Sequence, residues 1–210
     1  MNRSRVKASV FRVFNMSSRF AVLALGACAF AGYGAEPAPP PREKVVYFPI
    51  TVGAKWVRTW SSASGKEKDR EVVEAVAEVI DGKDGTKIVT VVRVGEQWTR
   101  PMKVFEISNA GLFWTKNHAG NSAGLPWCEL KLPHTPGQTW GAGLDSKLTA
   151  HGPEKIKVPA GEFECIRVEY RDSRGPDPVQ TRWYAKGIGE VKVTSGDLVI
   201  VLKSFTPGRE

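Results

Sequence analysis

The chain has 210 residues, of which 41% are apolar and 25% charged, with a formal charge of +8. That length supports one well-buried core and is short for two. Five positive charges, Arg3, Arg5, Lys7, Arg12 and Arg19, precede the first acidic residue, Glu36, leaving +3 for the rest; there the signs alternate, as in Lys66-Glu67-Lys68-Asp69-Arg70, so no stripe for phosphates exists and nucleic acid is not an expected partner.

The basic opening leads into the apolar run 20–30 and then into small residues. This is the pattern of a cleavable export signal, because the run is too short and too glycine-punctuated to span a membrane comfortably. Starting at Met16 gives the signal a more ordinary basic region. Two processing routes are open. Ala29-Phe30-Ala31 fits small-x-small cleavage, with 1–31 removed and a soluble product released. Leu25-Gly26-Ala27-Cys28 is similar to a bacterial lipobox, in which 1–27 is removed and Cys28 carries a lipid anchor to the membrane. Residues 32–44 form a Pro-rich linker, and the stretch 36–42 is a stiff tether suited to holding a domain off a membrane. The expected location is therefore the periplasm, or a membrane as an anchored lipoprotein.

Residues 45–208 read as a single β domain. Segments rich in Val, Ile, Trp, Tyr and Phe recur between Gly, Asp, Asn and Pro. In chain order the expected strands are 55–61, 70–80, 86–94, 98–107, 111–116, 127–132, 147–150, 155–158, 163–171, 180–185, 190–194 and 198–205. Segment 70–80 also fits a helical face, through Val72, Val73, Val76, Val79 and Ile80; its Val content and the following Asp81-Gly82-Lys83-Asp84-Gly85 turn favour a strand. Pro49-Ile50-Thr51-Val52-Gly53-Ala54-Lys55-Trp56 and Pro133-His134-Thr135-Pro136-Gly137-Gln138-Thr139-Trp140 share the pattern P-x-T-x-G-x-x-W. In each, Pro blocks pairing, Gly makes a turn and Trp is the first side chain driven inward. The echo marks either two meander halves near 45–128 and 129–208 or one turn solution used twice.

With these openings, Val158-Pro159-Ala160-Gly161-Glu162-Phe163 and Trp183-Tyr184-Ala185-Lys186-Gly187-Ile188-Gly189-Glu190-Val191-Lys192 carry a resemblance. The chain resembles a loose group of exported bacterial β-meander proteins, many lipidated and of unknown function, with G-x-x-W, V-P-A-G-x-F and W-Y-A-x-G-I-G-x-V-K motifs. The group brings no catalytic residues. It implies an architecture distantly similar to the half-barrels of lipoprotein carriers, which hold acyl chains on a concave face. The expected fold is thus all-β, an antiparallel meander curled into a barrel or half-barrel, with a two-sheet β-sandwich as the alternative.

Motifs for chemistry are sparse. Gly120-Asn121-Ser122-Ala123-Gly124 matches G-x-S-x-G, but a nucleophile elbow needs a helix after it, and here Leu125-Pro126-Trp127 follows. His118, His134 and His151 sit in loop-like contexts without metal-ligand spacing. Glu162, Glu164 and Glu169 alternate with apolar neighbours as an exposed strand face does. Neither catalysis nor a cofactor is expected. Cys128 and Cys165 are free to pair in an oxidising compartment, or to serve as small core residues. Seven Trp residues stand out, each able to bury about 200 Å². Core filling is one use; an apolar-ligand surface including Trp60, Trp98, Trp114 and Trp183 is the other. The segment 198–202, apolar on both faces, needs a cover. The functional expectation is a non-catalytic envelope protein that binds an apolar small molecule or an envelope protein. The alternatives are a structural or assembly component without a small-molecule site and, less favoured, an envelope hydrolase.

Overall fold

The computed structural model describes residues 46–209, apart from 67, 118–121, 143–144 and 173–174. The segment read as an export signal, Cys28, the expected linker 32–44, His118 and the start of the G-x-S-x-G match lie outside the described residues. Twelve strands follow one another: β1 Lys55–Ser62, β2 Arg70–Asp81, β3 Lys87–Val94, β4 Thr99–Ser108, β5 Gly111–Asn117, β6 Ser122–Lys131, β7 Thr139–Gly141, β8 Lys147–Val158, β9 Gly161–Arg171, β10 Gln180–Ala185, β11 Gly189–Ser195 and β12 Leu198–Thr206. They form one sheet in the order β6-β5-β4-β3-β2-β1-β12-β11-β10-β9-β8-β7, antiparallel throughout. The meander curls into a nearly closed barrel with one unsealed seam, between the edge strands β6 and β7. A two-sheet sandwich is not formed.

Segment 70–80 is a strand, and its alternation explains why: Val72 and Val76 are buried while Glu71, Ala77 and Glu78 are exposed. Two expected strands, 147–150 and 155–158, are a single strand β8, because a register shift between His151 and Glu154 absorbs Gly152 and Pro153 without ending the ladder to β9. Three-residue β7 was not among the expected strands.

The two P-x-T-x-G-x-x-W segments open β1 and β7 with the same bonds. Gly53 N–H donates to Val76 O at 2.9 Å, and Gly137 N–H to Ala150 O at 2.8 Å. Ala54 and Gln138 donate back to Thr51 O and Thr135 O, and Val76 and Ala150 donate to Ala54 O and Gln138 O. Both glycines stand at φ near +80°, 82° and 81°, where a side chain would be strained. Each opening therefore starts a run of six strands. The first run joins the second where β1 pairs with β12, while the chemically equivalent junction of β6 with β7 carries no ladder.

Alternation of the strands gives the barrel two ends. The near end holds residues 46–54 and the turns after β2, β4, β8 and β10; the far end holds the loops after β1, β3, β5 and β9. The core packs at the near end and middle of the lumen, around Trp56, Phe105, Leu112, Leu130, Ile166 and Leu202. Trp140 reaches across the seam, its Nε1–H donating to Cys128 O at 2.9 Å.

Candidate functional site

β-bulges shape the middle of the lumen. The β5–β6 register shifts between Leu112 and Phe113 and leaves Glu129 without a cross-strand partner; similar shifts leave Met102 on β4 and Val191 on β11 unpaired. A bulge bends its strand and re-aims a side chain. Here it sends a carboxylate inward, and Glu129 is 1% exposed.

Glu129 Oε2 accepts from Arg182 and from the Tyr184 hydroxyl, at 3.0 Å in the second case. Arg182 in turn lies 3.7 Å from Glu190 and donates through Nε to Gln180 at 2.7 Å. A second pair, Arg58 with Glu74, sits beside it; Arg58 also donates to Glu190 O at 3.2 Å and lies 5.2 Å from the Trp56 ring centre. Lys103 completes the layer, its ammonium 5.3 Å from the Trp114 ring centre. Burial raises the Glu129 pKa, but the Arg182 and Lys103 charges and the bonds from Arg182 and Tyr184 outweigh it, so the carboxyl is held below its ordinary value. Burial and the Glu129 charge push the Tyr184 hydroxyl well above its own. Glu129 is therefore ionised and the Tyr184 hydroxyl protonated near neutral pH. Glu129 Oε1 has no hydrogen-bond partner among the described residues.

Two small cavities share Phe48 and Leu112 in their walls. One, of about 50 Å³, is apolar, with Tyr47, Ile50, Ile107 and Leu130; the other, of about 40 Å³, is walled by the Arg58, Glu74, Lys103, Glu129 and Arg182 side chains. Each has room for a few water molecules. Phe48 is the partition. Its ring packs 5.4 Å from that of Trp56 and 4.9 Å from that of Phe105, and it lies over Gly189, where a Cβ would come within 3.1 Å of it.

The four Trp residues expected at one surface divide. Trp60, Trp98 and Trp114 all belong to the β1–β5 half of the barrel, each with a cation over its ring. Trp183 does not join them. It faces away from its neighbour Tyr184, which points into the lumen, and donates instead to Glu154 at 2.5 Å with Lys192 over its ring. Trp56, Trp140 and Trp183 are buried, Trp60, Trp114 and Trp127 half-buried, and Trp98 is 44% exposed.

Glu169, expected on an exposed strand face, is buried: Arg167 and Arg171 bind it at 2.7 and 2.8 Å, and His151 lies 3.3 Å away. The arginines two residues to either side share its face and fold over it. His151 is accordingly a half-buried strand residue rather than an exposed loop one. Among the described residues no group of three His, Cys, Asp or Glu gathers as a metal site.

Of the two open readings for Cys128 and Cys165, the structure has free thiols; across the seam, β7 and β8 lie between their strands. Burial pushes the Cys128 pKa up to about 11 and that of Cys165 up to about 12. A thiol reacts as its thiolate. Native protein at pH 8 is therefore expected to leave Cys165 unlabelled by iodoacetamide over a period that alkylates it fully in urea; equal labelling in both states contradicts the burial.

Two solved structures are similar in chain path. One is a candidate lipoprotein from Parabacteroides distasonis, 17% identical, covering 79% of this chain and 100% of its own, with a TM-score of 0.49. The other is a candidate exported protein with a YmcC-like fold from Bacteroides fragilis, 17% identical, covering 77% of this chain and 99% of its own, with a TM-score of 0.49. No protein-family model and no curated protein matches the chain.

Proposed function

We propose that this protein is exported to the cell envelope and there binds an apolar molecule in its barrel lumen without transforming it. The export signal pattern in residues 1–31 supports the location. The observation that carries the binding reading is the shared Phe48 wall. An irregular segment, 46–50, lies over the near end of the barrel, and its Phe48 ring separates an apolar cavity from the lumen. Displacing that ring adds the volume of a phenyl group to the apolar cavity, which makes space there for a chain-like apolar ligand. The lowered Glu129, the raised Tyr184 hydroxyl and the raised thiols fit a holding role better than a reactive one.

The test is binding of a neutral apolar fluorophore, N-phenylnaphthylamine, to the mature protein and to Phe48→Ala. With the ring removed, affinity is expected to rise about tenfold, the equivalent of about 1.4 kcal/mol of ring displacement no longer required. Phe48→Leu serves if the alanine variant fails to fold. No enhancement of fluorescence with either protein overturns the lumen reading and favours an assembly component without a small-molecule site.

A further inference from the structure

The far end of the barrel carries a different chemistry. Residues directly opposite on antiparallel strands share a face, and Trp60 lies opposite Arg70 while Arg93 lies opposite Arg100. Trp60 shares its face with Trp56 and Arg58, so this set faces the lumen. The guanidinium centres of Arg70 and Arg93 stand 4.8 and 5.2 Å from the Trp60 ring centre, and that of Arg100 stands 4.9 Å from Trp98.

Three guanidinium groups therefore line one mouth, Arg93 half-buried and directly opposite the exposed Arg100, with exposed Arg70 beside Trp60, a like-charge arrangement that a bound anion would relieve. The carboxylate supply is thin. Arg93 approaches Glu74 at 3.6 Å, and Glu74 is already committed to Arg58. Among the described residues no carboxylate pairs with Arg70 or Arg100. Two buried N–H groups at the same place, Trp60 Nε1 and Arg93 Nε, also lack an acceptor among the described residues. A buried donor without an acceptor is costly, and guanidinium groups suit the planar oxyanions of carboxylate and phosphate. Beside them a recess of about 420 Å³ opens between Arg93, Trp98, Arg100 and Met102.

We propose that this mouth is an oxyanion-binding site that takes the phosphate or carboxylate group of a small acidic molecule on Arg70, Arg93, Arg100 and the Trp60 N–H. The site goes beyond the lumen reading and stands without it, since neither Arg70 nor Arg100 borders the cavities that Phe48 divides. The same chemistry has two sources, a soluble organic phosphate and the head of an acidic lipid.

The experiment titrates the mature protein with glycerol 3-phosphate, following Trp emission and heat, and in parallel measures flotation with phosphatidylglycerol against phosphatidylcholine vesicles. Saturable binding is expected, with the emission change lost in Trp60→Phe. Affinity should fall about tenfold or more in Arg70→Gln/Arg100→Gln, since two charge-assisted hydrogen bonds to the anion are lost. An unchanged melting temperature shows that this double variant folds; Arg100→Gln alone is used if it does not. Binding of glycerol 3-phosphate assigns a soluble ligand, and binding to phosphatidylglycerol vesicles alone assigns a lipid head. No saturation up to about 10 mM, the weak end of the affinity scale, with no selective flotation, overturns the proposal. An affinity unaffected by the arginine substitutions overturns it equally. Naphthylamine binding measured on the same variants reports the lumen separately and is expected to stay unchanged.

Discussion

Glu129→Gln is expected to cost the fold about 3–5 kcal/mol, the penalty for leaving a buried charge without its partner. Arg182, 18% exposed in its side chain, keeps Glu190 at 3.7 Å as its remaining carboxylate and loses the closer one. Against a total stability of about 5–15 kcal/mol for a domain, the loss is large enough to read directly from urea denaturation. Glu129→Met/Arg182→Met should recover most of it, because removing both charges also removes the need to desolvate them. A loss below about 1 kcal/mol in the single variant, within the range of an exposed pair, contradicts the burial described.

The same residue gives a pH signature. Its folded pKa lies below the ordinary 4.5, so its contribution is fully present above that value and is lost as the pH falls through the lower folded value. Wild-type stability should therefore decline on acidification below about pH 4.5 more steeply than that of Glu129→Gln, in which this proton uptake is missing. Parallel curves for the two proteins rule out the assignment.

Trp56→Ala is the second large effect, at about 3–5 kcal/mol. The residue is 1% exposed, packed against Phe48 and Phe205 at ring separations of 5.4 and 6.0 Å, and its Nε1–H donates to Ile188 O at 2.7 Å. The control is built into the molecule. Trp98→Ala removes the same side chain from a 44% exposed position and should move stability by about 0.5 kcal/mol or less. Denaturation midpoints of the two variants are the check, and comparable losses would show that Trp content, rather than its placement, matters.

The placement of most strands was legible because period-2 apolar patterning and Gly or Asp turns are local signals, as in 190–194. Where the signal is local but ambiguous, tertiary pairing decided. His151-Gly152-Pro153-Glu154 reads as a strand break and is instead a bulge, because β9 supplies a ladder on both sides of it. Three-residue β7 is too short for periodicity, and only the repeated opening before Trp140 marks it. The charged layer had no local signal at all. Glu129 and Arg182 are 53 residues apart, and what brings them together is a bulge whose position depends on the partner strand. The burial of Glu169 was hidden for a related reason: alternation gives its face, but only the side-chain conformations of Arg167 and Arg171 remove that face from water. Trp60, Trp98 and Trp114 lie in one half of the barrel and Trp183 in the other, and beside the first three stand arginines and a lysine.

The seam lies between strands that are consecutive in the chain, and the continuity of the sheet rests on strands from its two extremes, where Ser61 and Val199 meet across 138 residues. Closing a loop of that length is entropically late, and contacts so distant slow a folding reaction. A chain emerging N-terminus first has its first six strands available while their central edge, β1, has nothing to pair with. That edge stays open until the final nine-residue strand arrives. Loss of the last strand would remove the middle of the sheet rather than its margin, dividing the barrel into two incomplete fans.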